Sequence, residues 1–147
     1  MTDTALTPRE KERERLARRI PEDIFGDGNL DLLDELYAAD AVDHNAFGDQ
    51  EGRTAIRESY EAFLTAFPDV SQTVEDVVVD GDTVAMFITS RGTHEGALWG
   101  IEPTGREIEV QQMAFVRFED GMIAERWFLP DNFSLLHQLE IVDFPPS

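Results

Sequence analysis

The chain is predicted to adopt an α+β fold, a curved antiparallel sheet wrapped as a cone around N-terminal helices. Two observations carry this. Apolar residues recur with the helical period as far as Phe67, and beyond it the period switches to two. Asp80-Gly81-Asp82 and Glu119-Asp120-Gly121 then join successive alternating runs as tight hairpins. Helices first and consecutive hairpins after them place the helices on one face of an antiparallel sheet. A sheet curved around a helix leaves a hollow lined by strand residues.

Residues 1–8 read as a loose leader ending at Pro8. Arg9 to Arg19 mixes both charges with few apolar residues, a solvated helix supported by i,i+4 pairs such as Glu14 with Arg18. Ile20 to Phe25 continues it with a disturbance at Pro21. Gly26 to Asn29 is a turn. Asp31 to Leu36 is a short amphipathic helix with Leu32, Leu33 and Leu36 on one face. A strand starts at Ala41 to Asn45, and Gly48 to Gly52 reads as a loop. Arg53 to Phe67 is the clearest helix, with Ile56, Tyr60, Phe63, Leu64 and Phe67 in phase and Pro68 ending it. Strands follow over Ser71 to Val79, Thr83 to Thr93, Arg106 to Phe118 and Met122 to Phe128, with a loop from Gly96 to Gly105. Phe133 to Leu139 is a closing helix, and residues 142–147 form a tail. The 147 residues match one domain.

Charge restricts the function classes. Thirty-one acidic residues face twelve basic ones, a formal net charge of −19, and Lys11 is the sole lysine. A nucleic-acid surface needs a basic stripe, which this composition disfavours, and an anionic membrane surface is disfavoured on the same ground. The acidic residues are spread through apolar periodicity, so a folded, strongly hydrated domain is expected rather than a disordered one. The composition resembles that of proteins from salt-loving cells. At about 1 M salt the Debye length is ~3 Å and self-repulsion is screened, so the melting temperature is expected to rise from dilute buffer to about 1 M KCl. With no cysteine there are no disulfides, thiol nucleophiles or thiolate metal sites. No apolar run approaches a membrane span and no signal-peptide core is present, so a cytoplasmic location is the expectation.

Several stretches recur together in a known order: Gly28 to Leu36, Val42-Asp43-His44-Asn45, Ala66-Phe67-Pro68-Asp69, Arg91 to Gly96 with Gly100 to Gly105, and Phe118 to Gly121 running through Trp127 to Asp131. Through them, from about residue 20 to 141, the chain resembles the SnoaL-like polyketide cyclases, often called ester cyclases, of the nuclear transport factor 2-like superfamily. The resemblance implies a cone-shaped α+β barrel, a homodimer or larger homo-oligomer, a small hydrophobic or aromatic guest, and no cofactor or metal. It also implies that Asp131, at the position of the family's aspartate, is the general acid/base of an intramolecular aldol ring closure or a related isomerisation. Two positions depart from the pattern. The family's Gln-x-His pair reads Gln112-Met113-Ala114 here, and Phe128 stands where many relatives carry an aspartate after the tryptophan.

Such chemistry needs a proton taken from a carbon beside a carbonyl and one delivered to the new alkoxide. Gln112, His94 and His44 are the available donors for the oxygen, and Trp127 and Trp99 the aromatics for a planar guest. Each has a structural alternative. Asp131 lies two residues before Phe133 and could cap the last helix. The two tryptophans could be core or rim. On the strand carrying Gln112 both faces bear apolar residues, so the strand is expected to be central and covered on both sides. Arg91 could pair with Glu107 or Glu109. No histidine pair has metal-ligand spacing, and there is no phosphate loop or nucleophile elbow. A non-catalytic ligand-binding or assembly module of the same fold is the rival reading.

Overall fold

The computed structural model describes residues 5–46 and 48–143. Helix α1 (Pro8–Arg19) begins at a capping box: the Thr7 hydroxyl accepts from the Glu10 amide, and the Glu10 carboxylate accepts from the Thr7 amide. The leader therefore hands over to helix at Pro8, in the first-turn position where a missing N–H costs nothing. Its exposed face carries Arg18 with Glu14 at 3.1 Å, as the spacing predicts. At Pro21 the helix widens into one π-helical segment, Ile20–Phe25, because proline supplies no amide for the regular ladder. That segment turns Ile20, Pro21, Ile24 and Phe25 inward.

Helix α2 (Leu32–Leu36) buries the three leucines named by its pattern. Strand β1 (Tyr37–Asn45) follows directly, starting four residues earlier than the sequence suggested. Gly48–Glu51 is a strand, β2, rather than a loop; it pairs antiparallel with β1 from Val42–Glu51 to Asn45–Gly48. Its alternation was invisible because four mostly polar residues on a sheet edge carry no apolar period. Helix α3 (Arg53–Ala66) then packs its Ile56 and Tyr60 face on the sheet. Strands β3 (Ser71–Asp80), β4 (Thr83–Thr93), β5 (Glu107–Glu119) and β6 (Met122–Pro130) form a meander, and α4 (Asn132–Gln138) closes it.

The sheet order is β2-β1-β6-β5-β4-β3. One pairing departs from the antiparallel expectation: β1 runs parallel to β6, opposite Glu125, Arg126 and Trp127. The helices cover one face only. On β5 the side chains alternate strictly, with Ile108, Val110, Gln112, Ala114, Val116 and Phe118 buried. Its other face is open, contrary to the expected two-sided cover: Met113 and Phe115 are more than half exposed.

Two backbone sites fix the loop between β4 and β5. Gly96 sits against the end of α3, where an added Cβ would lie 2.1 Å from the Thr65 carbonyl oxygen, so only glycine fits. Leu98 and Ile101 exchange both backbone hydrogen bonds around Trp99 and Gly100, which have φ of 50° and 80°. This is a two-residue turn of the mirror-image type, an uncommon conformation for a tryptophan.

Candidate functional site

The hollow between the helices and the inner sheet face holds a cavity of about 210 Å³. Its walls are largely apolar, with the rings of Phe63, Phe67 and Phe128 among them. Into this apolar space the fold inserts one charged cluster. Asp43 on β1 and Arg126 on β6 are direct neighbours in the strand register and point inward together. Both are buried, at 1% and 3% exposure. Arg126 Nη1 donates to Asp43 Oδ2 at 2.9 Å, and the Tyr60 hydroxyl donates to the same oxygen at 2.7 Å. Since Tyr60 spends its proton on Asp43, Tyr37 must donate to the Tyr60 oxygen, 2.6 Å away. The guanidinium lies 4.3 Å over the Phe128 ring and 5.5 Å over the Tyr60 ring.

Burial would depress the Arg126 pKa, but the adjoining Asp43 carboxylate overrides it and holds the value above the ordinary one. Burial pushes both tyrosine phenols up, so they remain donors. The cluster is asymmetric. Asp43 Oδ2 takes two donors, whereas Asp43 Oδ1 and Arg126 Nε have no partner among the described residues. One bare acceptor and one bare donor thus sit in a matched ion pair, where a buried polar atom without a partner is costly.

A second polar group faces the same cavity. Gln72 on β3 donates to the Ser90 hydroxyl at 3.3 Å and, at a long 3.5 Å, to Gln112 Oε1. Of the residues singled out in the sequence, Gln112 and Trp99 line the cavity, with Trp99 at its rim and 46% exposed.

The other candidates lie elsewhere. Asp131 is exposed, and its Oδ1 accepts from the Ser134 amide at 3.0 Å, which makes it the N-cap of α4. It borders a shallow polar pocket with Arg91, Glu109 and Gln111 on the opposite side of the sheet from the cavity-lining Gln112. Within that pocket Arg91 pairs with Glu109 at 2.7 Å. The expectation that Asp131 opens into the apolar hollow is therefore corrected: β6 ends at Pro130, and the following residue turns out to start the helix.

His44 and Trp127 occupy the outer sheet face, stacked with ring centroids 5.2 Å apart. His44 Nδ1 meets Asp49 at 2.6 Å and Nε2 meets Glu125 at 2.5 Å. Those two carboxylates, Glu125 first, raise the imidazole pKa above its ordinary value. His94 is fully buried and acts on the backbone. Its Nδ1 accepts from the Thr104 amide at 3.1 Å and lies 3.0 Å from the Thr104 hydroxyl, tying down the loop before β5. That bonding puts the proton on Nε2, which has no partner among the described residues.

Sequence reasoning passed over Asp43, Tyr60 and Arg126 as site residues. The signal for Arg126 was scrambled by a β-bulge. Arg117 pairs with Glu125 but Phe118 with Ile123, so Ala124 is an extra residue on β6. Counting by twos from buried Ile123 would face Glu125 and Trp127 inward; the bulge reverses the phase and faces Arg126 and Phe128 inward instead. Among the described residues no cluster of histidine, aspartate or glutamate is arranged to hold a metal ion, and no helix is long and apolar enough to cross a membrane.

The fold has relatives among solved structures. IdmH of Streptomyces antibioticus, a candidate polyketide cyclase, is 33% identical, with a TM-score of 0.75 over 87% of this chain and 98% of its own. AclR of Streptomyces galilaeus, a candidate hydroxylase, is 25% identical, with a TM-score of 0.83 over 94% and 91%. A candidate SnoaL-like polyketide cyclase of Jannaschia sp. CCS1 superimposes at a TM-score of 0.88 over 98% and 100%, but at 21% identity it speaks to the fold alone. Comparison with curated protein sequences gives no match. The sequence profile described as SnoaL-like polyketide cyclase matches residues 15–139, most of the length and nearly all of the elements above, and on that match the chain belongs to the SnoaL-like polyketide cyclase family.

Proposed function

We propose that the chain carries out acid/base chemistry on a small hydrophobic carbonyl compound, without a cofactor, and that Asp43 rather than Asp131 moves the proton. The observation that carries this reading is the bare Oδ1 of Asp43 beside the bare Nε of Arg126, on two residues that line the cavity. In a ketone the carbonyl oxygen and the neighbouring C–H share one edge. Asp43 Oδ1 takes the proton from carbon, and Arg126 Nε–H donates to the oxygen as it becomes an enolate. The enolate carbon then attacks a second carbonyl of the same molecule, and the proton held by Asp43 passes to the resulting alkoxide. Return of that proton to a different carbon gives isomerisation instead. Neither route needs a co-reactant. Tyr60 and Tyr37 keep the other carboxylate oxygen fixed.

Pairing with Arg126 also favours a second reading, a ligand-binding module in which the ion pair only ties β1 to β6. One experiment separates the two. Deuterium incorporation beside the carbonyl of α-tetralone, a two-ring ketone, is followed by NMR in deuterium oxide. The chemical reading requires acceleration over buffer by the wild type, loss of it in Asp43→Glu, which retains the charge pair but displaces the oxygen, and no change in Asp131→Asn. Wild-type exchange at the buffer rate leaves the binding module. Exchange lost in Asp131→Asn and kept in Asp43→Glu returns the role to Asp131.

The partner of the folded chain is proposed to be a second copy of itself. Met113, Phe115, Trp127 and Leu129 form an exposed apolar patch on β5 and β6. Arg91–Glu109 and Arg117–Glu125 flank it as paired charges, so two acidic chains can approach there without strong repulsion. Sedimentation in high salt should show an oligomer that Phe115→Asp dissociates; an unchanged oligomer would place the contact elsewhere.

A further inference from the structure

The charged cluster and the amide cluster face one cavity from different strands, and together they describe a guest. We infer that the ligand is a one- or two-ring molecule with an oxygen function at each end: a ketone at Arg126 and Asp43, and a hydroxyl at Gln72 and Gln112. The ketone end rests on the reading proposed above; the hydroxyl end and the size rest on separate observations.

Size comes first. A cavity of about 150 Å³ lined by apolar side chains holds a benzene. At about 210 Å³, this one holds a single substituted ring or two fused rings within its walls. Phe63, Phe67 and Phe128 offer ring faces and edges to a flat guest.

The second end follows from hydrogen-bond accounting. Gln112 is 4% exposed, and an amide is not buried in a largely apolar cavity without cost. Its one side-chain hydrogen bond among the described residues is the long contact from Gln72. Gln72 directs its own Nε2 at Ser90 and Gln112. Among the described residues the Nε2 of Gln112 and the Oε1 of Gln72 are left over, one donor and one acceptor. Turning both amides over leaves the same remainder, an acceptor on Gln112 and a donor on Gln72. A hydroxyl satisfies a donor and an acceptor together, because it gives one proton and offers two lone pairs. A carboxylate would leave the acceptor unsatisfied, and an apolar end would leave both.

Spacing agrees. Arg126 lies opposite Val116 on β5, and Gln112 is four residues farther along that strand. Four strand residues span about 13 Å at the backbone, room for a ring or two with a hydrogen bond at each end.

The test uses two probes of equal shape, α-tetralone and its derivative with a hydroxyl on the ring carbon farthest from the ketone. Dissociation constants are measured by calorimetry in high salt on the wild type, Gln72→Leu and Gln112→Leu, with near-ultraviolet circular dichroism confirming the fold of each variant. The hydroxylated probe is expected to bind the wild type about tenfold tighter, the value of one or two neutral hydrogen bonds. Each glutamine variant should bring that ratio close to one. Equal affinities in the wild type, a preference that survives both substitutions, or failure of both probes to bind overturns the inference. A hydroxyl preference without any deuterium exchange would sink the proposed chemistry and leave the ligand class standing; exchange without the preference would do the reverse.

Discussion

Strands β1 and β6 carry two ionic clusters one residue apart, and the two behave differently because they face opposite ways. Asp43 and Arg126 point into the hollow with side chains 2% and 4% exposed. The next residues, His44 and Trp127, point out, where His44 is 27% exposed between Asp49 and Glu125. The inner pair sits in a low dielectric, so each charge depends on the other and cannot be hydrated if its partner is lost. The outer cluster can exchange its partners for water, so its bonds contribute little net. The lesson is that burial, rather than the count or shortness of the contacts, decides which cluster is worth more to the fold and which can hold a reactive, unsolvated oxygen.

Breaking the inner pair should have the largest effect. Arg126→Met or Asp43→Asn leaves one buried charge unpaired and is expected to cost about 3–5 kcal/mol, read by denaturant unfolding in high salt. The double variant should recover most of that loss. A single variant losing under about 1 kcal/mol would make the inner pair equivalent to an exposed one and remove the basis of the comparison.

The two aspartates sharpen it next. Asp131→Ala removes a helix cap and is expected to cost about 1 kcal/mol, with deuterium exchange of α-tetralone unaffected. Exchange falling in step with stability would show that the outer carboxylate belongs to the chemistry.

The smallest effect belongs to His44. Its pKa is raised, so its contribution is complete below the unfolded value of 6.5 and is lost as pH rises through the folded value. Glu125 is depressed, chiefly by His44, so its contribution is present above the unfolded 4.5 and is lost as pH falls through its lower folded value. The outer cluster is therefore strongest between those two limits. Wild-type stability should fall by about 0.5–1 kcal/mol from pH 6.5 to 9, and His44→Gln should abolish that slope. Tyr37 and Tyr60 beside the inner pair should not titrate there, since burial holds both phenols above the ordinary 10. A slope that persists in His44→Gln would assign the pH response to another group.

The helical face of Arg53 to Phe67, the hairpins at Gly81 and Gly121 and the alternation of β5 were legible because each rests on contacts between neighbours in sequence. The alternation put Gln112 on one face with Ala114 and Val116, but apolar residues on both faces did not say which of them is inward; the cap at Asp131 was foreseen as the alternative to chemistry. The site itself was harder to read. A single extra residue at Ala124 reverses the inward phase of β6, and nothing local in Met122 to Phe128 announces it. The sequence likewise holds no sign that β1 would lie parallel to β6, which is what sets Asp43 against Arg126 across a separation of 83 residues.

By itself, then, the sequence determined the α+β class, the family, the acidic surface and most element boundaries, since these follow from composition, period and turn chemistry. Tertiary structure alone decided which carboxylate is dry. Solvation is a property of everything that surrounds a side chain, and for Asp43 that surrounding is assembled from β1, β6 and α3, three segments that meet only in the folded chain.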